Sequence, residues 1–356
     1  MKNMFSNLLK KQMIDRSHIK QILIIKLRAI GDVVLSTVVL KNLRNAFPEA
    51  KIDFLTEGPC RDVVEGNPHV HSIITFNARD ENGLHLIRNI RKRRYDLVID
   101  LFGNPRSALV TLFSGAGYRV GYRFGWRKYC YNIVVSPRGG EVHNTEFNLD
   151  ALRAISVPVS DKSPQFFVGK EDHEFAEKFF NESDIGDELI IAINPTGGWY
   201  TKRWPKAHFA RLADQLVGQL KANVLILWGP GERENAEEIQ KLMNAHAVLI
   251  PSTTLKQLAA ILSRCTLIVT NDGGPMHIAA ALGIPMVAIF GPTNPHLQGP
   301  VGTQSVIVQK AGLDCLGCNL TKCPIGNPCM EQLSVDEVFR KVELLLKKLN
   351  PPGRHV

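Results

Sequence analysis

The sequence lacks features that mark several large classes of protein. Its 356 residues contain no apolar run of the roughly 20 residues that a membrane-spanning helix needs. The first twenty residues have neither a continuous apolar core nor a small-residue cleavage site, so no secretory signal is predicted. No recognised nucleic-acid-binding motif accompanies the basic residues. We therefore do not expect an integral membrane protein, a secreted protein or a nucleic-acid-binding protein.

Acidic side chains are in the minority. The 43 Lys and Arg residues exceed the 34 Asp and Glu residues, which gives a formal net charge of +9. Such an excess favours an acidic partner, which can be nucleic acid, an anionic lipid or a phosphorylated substrate. The densest basic run, residues 88–94, is taken alone typical of a solvated helix face. We expect the basic residues to bind a phosphate, either at a surface or on a substrate, and not nucleic acid.

Short apolar runs alternate with amphipathic segments along the first half of the chain. Strands are predicted at residues 21–26, 51–56, 73–75 and 97–101, and helices at 33–47, from about 83, and at 106–114. Glycines, aromatic residues and arginines mix over residues 119–127, which favours a loop. The alternation predicts the α/β class, with a parallel sheet covered by helices on both faces.

The alternation restarts after residues 156–165, where two prolines and three serines predict an interdomain linker. Further strands are predicted at residues 189–194, 223–228, 247–250, 267–270 and 285–290, and helices at 205–220, 235–244, 254–264 and 334–348. Ser334, with Glu337 three residues later, predicts a capped start for the last helix. We expect four regions: a basic extension (1–20), two Rossmann-like domains (21–160 and 161–333) and a C-terminal helix and tail (334–356).

An anion-binding turn is predicted within residues 267–294. A β-branched run leads into Asp272, Gly273 and Gly274, and Pro275 fits the first turn of a helix. Adjacent glycines permit backbone conformations that side chains forbid, which suits a tight turn. The bare amides at a helix start hold phosphates. Most glycine turns in α/β proteins bind nothing, but Asp272 and His277 gather at this helix start, and that favours a site.

Two further segments of the second half carry polar groups after predicted strands. Thr196 follows the first strand of this half, where a doubly wound sheet binds its ligands. Lys202 and Arg203 then begin a helix whose dipole they oppose, so either a bound anion explains them or they are surface cations. Glu232 follows the next strand, where an acid can accept hydrogen bonds from ribose hydroxyls or simply satisfy the helix dipole. Together these groups fit a nucleoside diphosphate.

In the first half, Asp32 is the candidate catalytic residue. Gly31 lets the backbone bend after the first strand, and Asp32 falls at the start of a helix. As a functional group, a carboxylate facing an interdomain cleft can take a proton from an acceptor hydroxyl. As a structural group, Asp32 is an N-cap. The dipeptide alone does not decide between these interpretations.

Taken in order, these motifs resemble glycosyltransferase family 9, the ADP-heptose:lipopolysaccharide heptosyltransferases, over residues 21–346. The resemblance is carried by ILIIKLRAIGDVVLSTVVL, YDLVIDLFGNPRSALVT, residues 202–205 and VTNDGGPMHIAAALGIPMVAIFGPTNP. It implies the GT-B fold, two Rossmann-like domains with parallel sheets facing across a cleft. The C-terminal half would bind the donor mainly and the N-terminal half the acceptor. It also implies an inverting, metal-independent transfer, and the sequence has no Asp-x-Asp motif that would argue for a metal-bound diphosphate.

The resemblance also implies roles for individual residues. Asp32 matches the proposed catalytic base of the family. The matching donor-binding residues are Lys202 at the phosphates, Glu232 at the ribose, Asp272 near the sugar, Gly273 and Gly274 in the phosphate-binding turn, and His277, which completes it. Some family members carry Thr where Gly273 stands, so a hydroxyl contact is missing here and the sugar preference stays open.

Three arginines and four cysteines complete the set of candidate residues. Arg119, Arg123 and Arg127 are predicted to meet phosphates of an anionic glycolipid acceptor. The four cysteines form a C-x₂-C-x₄-C-x₅-C pattern, which predicts first a structural zinc site and matches neither usual ferredoxin spacing; they are Cys315, Cys318, Cys323 and Cys329. Reduced thiols or a disulfide are the alternatives. No cofactor is expected to be required.

We therefore expect an enzyme that transfers a heptose from ADP-heptose to a lipopolysaccharide inner-core acceptor. Its partners would be the ADP-sugar, the anionic glycolipid and the cytoplasmic membrane surface, and its location the cytoplasm, peripheral to the inner membrane. One alternative keeps the GT-B fold with another nucleotide sugar or acceptor. Another class is a nicotinamide-dependent oxidoreductase, but residues 27–32 follow the first strand where Gly-x-Gly-x-x-Gly is required. A third is a nucleotide- or zinc-binding protein without transferase activity.

Overall fold

The computed structural model describes residues 14–77, 82–186 and 188–349 of the chain. The chain divides between Gln165 and Phe166 into two compact units, called unit 1 and unit 2 below. Residues 1–13 of the predicted basic extension lie outside the described residues. Within the described part of the chain, no helix is both long and apolar enough to cross a lipid bilayer.

Unit 1 is built on a six-stranded sheet in which every neighbouring pair of strands is parallel. Its strands are β1 (Gln21–Ile25), β2 (Lys51–Thr56), β3 (Ser72–Thr75), β4 (Leu97–Asp100), β5 (Tyr118–Tyr122) and β6 (Ile133–Val135). Their order across the sheet is β3-β2-β1-β4-β5-β6. The order reverses between β1 and β4, and ligands of such sheets bind at the carboxyl ends of the strands at this switch point.

The helices of unit 1 differ from the prediction at one junction. They are α1 (Ile30–Ser36), α2 (Val38–Ala46), α3 (Arg61–Val64), α4 (Gly83–Lys92), α5 (Pro105–Phe113) and α6 (Asn144–Ala154). The single helix predicted at 33–47 is therefore wrong. At the junction, the Thr37 hydroxyl donates to the Val34 carbonyl and accepts from the Gln165 N–H, both at 2.7 Å. Such side-chain bonds to the backbone compete with the helical ladder.

The loop predicted at residues 119–127 is also wrong. Strand β5 occupies Tyr118–Tyr122, and a 3-10 helix follows at Gly125–Cys130. Val120 and Tyr122 are buried, and the Tyr122 ring stacks on Phe147 with centroids 4.2 Å apart. The arginines and glycines of this stretch obscured a strand whose last three residues, Val120 to Tyr122, are all buried.

The sheet of unit 2 has the same strand order as the sheet of unit 1. Its strands are β7 (Ile190–Asn194), β8 (Asn223–Ile226), β9 (Val248–Leu249), β10 (Leu267–Asn271), β11 (Met286–Ile289) and β12 (Ser305–Val308). All are parallel, in the order β12-β11-β10-β7-β8-β9. Read from its other edge, this is the order of unit 1, so the switch point lies between β7 and β10. The predicted α/β class with two parallel, Rossmann-like sheets is confirmed.

The unit 2 sheet is covered by helices on both faces. They are α7 (Lys170–Glu182), α8 (Lys206–Leu220), α9 (Arg233–Leu242), α10 (Leu255–Leu262), α11 (Gly274–Ala281), α12 (Pro295–Gln298), α13 (Pro328–Glu331) and α14 (Val335–Leu349). Ile191 and Ile193 face a core shared with α8, α9 and α14, whereas Ile190 and Ala192 face one shared with α7, α10 and α11. Burying each large aliphatic side chain contributes about 1.5–3 kcal/mol. The sheet is thus a rigid platform for the loops at its carboxyl edge.

The predicted cap of the last helix is confirmed. The Ser334 hydroxyl accepts from the Glu337 N–H at 3.3 Å, and the Glu337 carboxylate accepts from the Ser334 N–H at 2.9 Å. This reciprocal pair satisfies two backbone donors at the helix start. Helix α14 packs on α8, β11 and β12 and so belongs to unit 2.

Candidate active site

The turn between β10 and α11 forms the core of the candidate site in unit 2. Asp272 follows the last residue of β10, and α11 begins at Gly274 with Pro275 in its first turn. Gly283, with φ +76°, follows the end of the helix. The helix therefore directs the backbone amides of its first turn toward the carboxyl edge of the sheet, as the sequence predicted, and this is an environment that attracts phosphate.

The glycines of this turn do not have the role that was predicted for them. Gly273 has φ −176°, an extended conformation that any residue adopts. A Cβ built on Gly273 meets its nearest heavy atom, Pro275 Cδ, at 3.9 Å. The expectation of a backbone forbidden to side chains is therefore wrong at Gly273, and a threonine would fit there. The turn depends on the position of Asp272 and the helix start instead.

Asp272 is the centre of a buried polar cluster. Its side chain is 4% exposed, and Oδ2 accepts from Lys202 Nζ and from Thr293 Oγ1, both at 2.7 Å. Lys202 also lies over the Trp199 ring, with Nζ 4.6 Å from the centroid. These contacts fix a cation beside the start of α11. The structure thus brings together Lys202 and Asp272, and it adds Thr293, which the sequence analysis did not select.

A side-chain network ties the two strands at the switch point to each other. The Thr196 hydroxyl donates to Asn194 Oδ1 at 2.7 Å, and Asn194 Nδ2 donates to Thr270 Oγ1 at 2.9 Å. Asn271 Nδ2 donates to the carbonyls of Pro195 and Thr196 at 2.9 and 3.2 Å. Thr196 is therefore held beside the β10 end that carries Asp272. His277, in the same helix start, is buried with 6% exposure.

Glu232 lies on the other side of Thr196. It precedes the first residue of α9, and Arg203 Nη2 contacts its carboxylate at 3.0 Å, while Arg203 Nε donates to the Gly197 carbonyl at 2.8 Å. Burial raises the pKa of Glu232, although Arg203 and the Gly229 N–H oppose the shift. A cavity of about 380 Å³ is lined by Thr196, Arg203 and Glu232, among others. Arg203 is thus a partner for Glu232 and not a free surface cation.

In unit 1, Asp32 lies at the equivalent switch point. It is half-buried in the first turn of α1, directly after β1, and Ala29 is the N-cap, so the N-cap interpretation of Asp32 is wrong. Lys26 Nζ donates to the Leu101 carbonyl at 3.3 Å. Burial lowers the pKa of Lys26, and the charges of Asp32 and Asp100 oppose the shift. Lys26, which was not among the predicted site residues, therefore lies within electrostatic range of the candidate base.

Asp100 organises the loop after β4. It is fully buried and accepts hydrogen bonds from the Phe102 and Gly103 N–H groups at 3.0 and 2.9 Å and from the Tyr131 hydroxyl at 2.7 Å. Burial is the main cause that raises the pKa of Asp100. Its hydrogen bonds make it a structural anchor for the switch-point loop of unit 1.

The three candidate acceptor-binding arginines are not brought together as one cluster. Arg119 lies near the amino end of β5, away from the strand ends that carry Asp32, and donates to the carbonyls of Ala116 and Cys130 at 2.8 and 3.3 Å. Arg127 donates to the carbonyls of Phe124 and Gly103. Arg123 follows β5 and is exposed. The placement of Arg119 does not fit the predicted acceptor contact, because its guanidinium holds the backbone of the sheet's opposite end.

The four cysteines lie in and after a loop between β12 and α13. All four are free thiols, and Cys329 is buried on α13. Burial, together with the charges of Cys315, Cys318 and Cys323, raises the pKa of Cys329 to about 11, so the four thiols lie within electrostatic range of one another. Among residues 14–77, 82–186 and 188–349, no group of three or more Cys, His, Asp or Glu side chains is arranged to hold a metal ion. Zinc binding stays a prediction that metal analysis of the purified protein tests.

Comparisons with known proteins show the family to which the chain belongs. The sequence profile of glycosyltransferase family 9 (heptosyltransferase) matches residues 84–327. The chain is 28% identical over 317 residues to lipooligosaccharide heptosyltransferase 2 of Haemophilus ducreyi, with 81% of this chain and 88% of that protein covered. The crystal structure of a family 9 glycosyltransferase from Veillonella parvula superposes with a TM-score of 0.82 at 25% identity, covering 92% of this chain and 97% of that one.

A second solved structure shares the fold at slightly lower identity. The ADP-heptose lipopolysaccharide heptosyltransferase II of Escherichia coli superposes with a TM-score of 0.77 at 24% identity. The alignment covers 92% of this chain and 99% of that one. The similarity in fold therefore extends over both units.

Proposed function

The chain belongs to glycosyltransferase family 9, and from this premise we propose that it transfers a heptose from ADP-heptose to a lipopolysaccharide inner-core acceptor. Family membership removes the oxidoreductase alternative. The identity of the sugar is supported by the heptosyltransferases that resemble the chain over most of their length. We further propose that the transfer is inverting and needs no metal ion.

The observation that carries the proposal is the cluster around Asp272. A pyrophosphate needs several positive groups close together, and unit 2 offers Lys202 Nζ, which bonds Asp272 just before the backbone amides at the start of α11. Glu232, on the far side of Thr196, supports recognition of a ribose, because its carboxylate accepts hydrogen bonds. These groups bind a nucleoside diphosphate without a metal ion, which supports metal independence.

In the proposed reaction, the Asp32 carboxylate takes the proton of an acceptor hydroxyl as that oxygen attacks the anomeric carbon of the heptose. The new carbon–oxygen bond forms while the bond from the anomeric carbon to the diphosphate oxygen breaks, and ADP leaves with the electron pair. One displacement of this kind inverts the anomeric centre. Lys202 and the amides of α11 stabilise the charge that builds on the leaving diphosphate, and they are preorganised for it.

Calorimetry with ADP-, UDP- and GDP-sugars tests the donor class. We expect ADP-heptose and ADP to bind, with much weaker binding of the UDP and GDP compounds. A product assay with an isolated inner-core acceptor then tests the transfer. Preferential binding of a UDP- or GDP-sugar would replace this proposal with a family 9 transferase of another donor. Binding of ADP-heptose without any transfer would leave a nucleotide-sugar-binding protein.

We also propose that unit 1 works at the cytoplasmic face of the inner membrane. Residues 83–94, 105–113 and 123–131 contain nine Lys and Arg residues and no Asp or Glu. Helix α5 packs against α4 and against the 3-10 helix at Gly125–Cys130, so these segments form one surface. Trp126 and Tyr129 are 52% and 76% exposed on it. Aromatic residues among cations favour the interface of an anionic bilayer, where the glycolipid acceptor resides.

Co-sedimentation with vesicles tests this location. We expect binding to phosphatidylglycerol vesicles that weakens with salt, little binding to phosphatidylcholine vesicles, and a loss of binding in a Trp126→Ser/Tyr129→Ser variant. Leu242→Ser is the matched control, because Leu242 is an equally exposed apolar residue of unit 2, at 54%. Equal loss in the control, or no dependence on lipid charge, would overturn the location.

A further inference from the structure

The loop that carries the cysteines lies against the candidate donor site. This cysteine loop, residues 309–329, has little regular structure, and its backbone turns sharply at residues with positive φ: Gly312, Gly317, Asn319, Gly326 and Asn327. Leu313 and Leu316 pack against the core of unit 2, and Cys329 and Met330 at its end are buried. The loop is therefore anchored to the body of unit 2 by apolar contacts.

One side of the cysteine loop forms backbone hydrogen bonds to the segment after β11. The Gly317 N–H donates to the Gly291 carbonyl at 3.0 Å, and the Asn319 N–H donates to the Pro292 carbonyl at 2.6 Å. A Cβ on Gly291 would lie 2.7 Å from the sulfurs of Cys329 and Met330. Only glycine permits that approach. The next residue along the chain after Pro292 is Thr293, which bonds Asp272.

The other side of the cysteine loop forms a hydrogen bond to the segment before α8. The Thr201 hydroxyl donates to the Leu320 carbonyl at 2.9 Å, and Thr201 is 2% exposed. The next residue along the chain is Lys202, whose Nζ bonds the same Asp272 oxygen as Thr293 does. Each of the two partners of Asp272 therefore follows directly on a residue that the cysteine loop holds.

We propose that the cysteine loop positions the donor site, with Thr201 as the positioning residue that transmits its hold to Lys202. The inference rests on the proposed function, because it takes the diphosphate of an ADP-sugar as the ligand of Lys202. Thr201 does not touch the ligand in this proposal. Its hydrogen bond fixes the backbone from which Lys202 reaches Asp272, so that the ammonium group is preorganised for the phosphates.

The substitution Thr201→Val tests the proposal, because valine keeps the shape of threonine and removes the hydroxyl. It leaves the Leu320 carbonyl without the Thr201 hydroxyl as its donor. We expect the KM for ADP-heptose and the Kd for ADP to rise about tenfold, while the acceptor KM stays unchanged. Thr201→Ser keeps the hydroxyl and should restore donor binding to nearly the original value.

A matched control comes from the other end of the same sheet. The Thr303 hydroxyl donates to the Ile284 carbonyl at 2.7 Å, and both residues precede their strands at the amino edge. Thr303→Val removes the same kind of bond from unit 2, away from Asp272. It should lower Tm to a similar extent as Thr201→Val and leave donor KM unchanged. A donor effect of equal size in both variants would mean general destabilisation and would overturn the positioning role.

Hydrogen exchange gives a second readout that does not depend on turnover. Coupling is reciprocal, so ADP bound to the original protein should slow exchange of the Gly317 and Asn319 amides, which bond Gly291 and Pro292. In Thr201→Val this protection should be lost. If the original protein binds no ADP, the proposed function fails. If it binds ADP and Thr201→Val binds it equally well, the positioning role alone fails.

Discussion

Each unit carries a key carboxylate at the switch point of its sheet, but the two follow different strands of the shared order and have different surroundings. In unit 2, Asp272 is 4% exposed and shares one oxygen between Lys202 and Thr293 at 2.7 Å. In unit 1, Asp32 is half-buried in the first turn of α1 and lies within electrostatic range of Lys26. A group that fixes a cation for a bound phosphate is best held rigid, whereas a group that takes a proton must stay accessible to the incoming hydroxyl. The contrast fits binding by unit 2 and proton transfer by unit 1.

The largest expected effect comes from Asp32→Asn. Loss of the base should lower kcat by roughly 10²- to 10⁴-fold. The Kd for ADP should not change, because the proposed ADP site lies in unit 2. Steady-state kinetics and calorimetry on the same preparation measure both quantities. Asp62→Asn, which removes an acid from the first turn of α3, is the control and should keep full activity. Weakened ADP binding in Asp32→Asn would contradict the division between the units.

Lys202→Met tests the other side of the comparison. We expect the Kd for ADP to rise about 10- to 100-fold, as charge-assisted hydrogen bonds to phosphate are lost. The variant should also lose stability, since Asp272 becomes a buried charge without its cation. Adding Asp272→Asn should recover Tm by removing that charge and should not recover ADP affinity. If both recover together, Lys202 serves the fold and not the ligand.

Glu232 makes donor binding sensitive to pH. Its pKa is raised by burial, so it takes up a proton at a higher pH than an ordinary Glu. ADP affinity should be full above this raised pKa and fall a few-fold as the pH drops through it, because a protonated carboxyl accepts ribose hydroxyls less well. The folded state binds this proton more readily than the unfolded chain, so its uptake does not destabilise the fold. Calorimetry across pH should show the dependence, and Glu232→Gln should remove it.

The smallest expected effect is a change in acceptor KM that distinguishes Arg123 from Arg119 in unit 1. Arg123→Ser should raise the acceptor KM about two- to fivefold, the value of an exposed charge contact. Arg119→Ser should leave the acceptor KM unchanged and lower Tm, because Arg119 donates to the carbonyls of Ala116 and Cys130. If Arg119→Ser raised the acceptor KM and Arg123→Ser did not, Arg119 would be the residue that contacts the acceptor and Arg123 would not.

Most of the fold could be predicted because a buried parallel strand has the sequence pattern of a short apolar run. Strand β2 was predicted at its observed bounds, and the β10–turn–α11 segment from its flanking β-branched residues, Pro275 and Gly283. The break at Thr37 was missed because it depends on a bond from Gln165, far along the chain. Strands β6 and β12 were also missed, although strands as short as β3 and β9 were predicted.

The candidate site could be predicted in part for a similar reason. Asp32, Lys202 and Asp272 stand in local motifs, so their neighbourhood in sequence reveals them. Thr293 and Lys26 owe their place to pairings across the sheet, such as the bond from Thr293 to Asp272, 21 residues away. The predicted glycine strain failed at Gly273 because sequence reports that a residue is small and not which φ it adopts.

The shared order of strands in the two sheets has an evolutionary consequence. The chain passes from unit 1 to unit 2 once, between Gln165 and Phe166, and each of the twelve described strands pairs within its own unit. Recombination at this junction would therefore exchange a complete half while every strand keeps its neighbours. Under the proposed division of roles, a lineage would in this way acquire a new donor-binding half as a block and keep the half proposed to bind the acceptor.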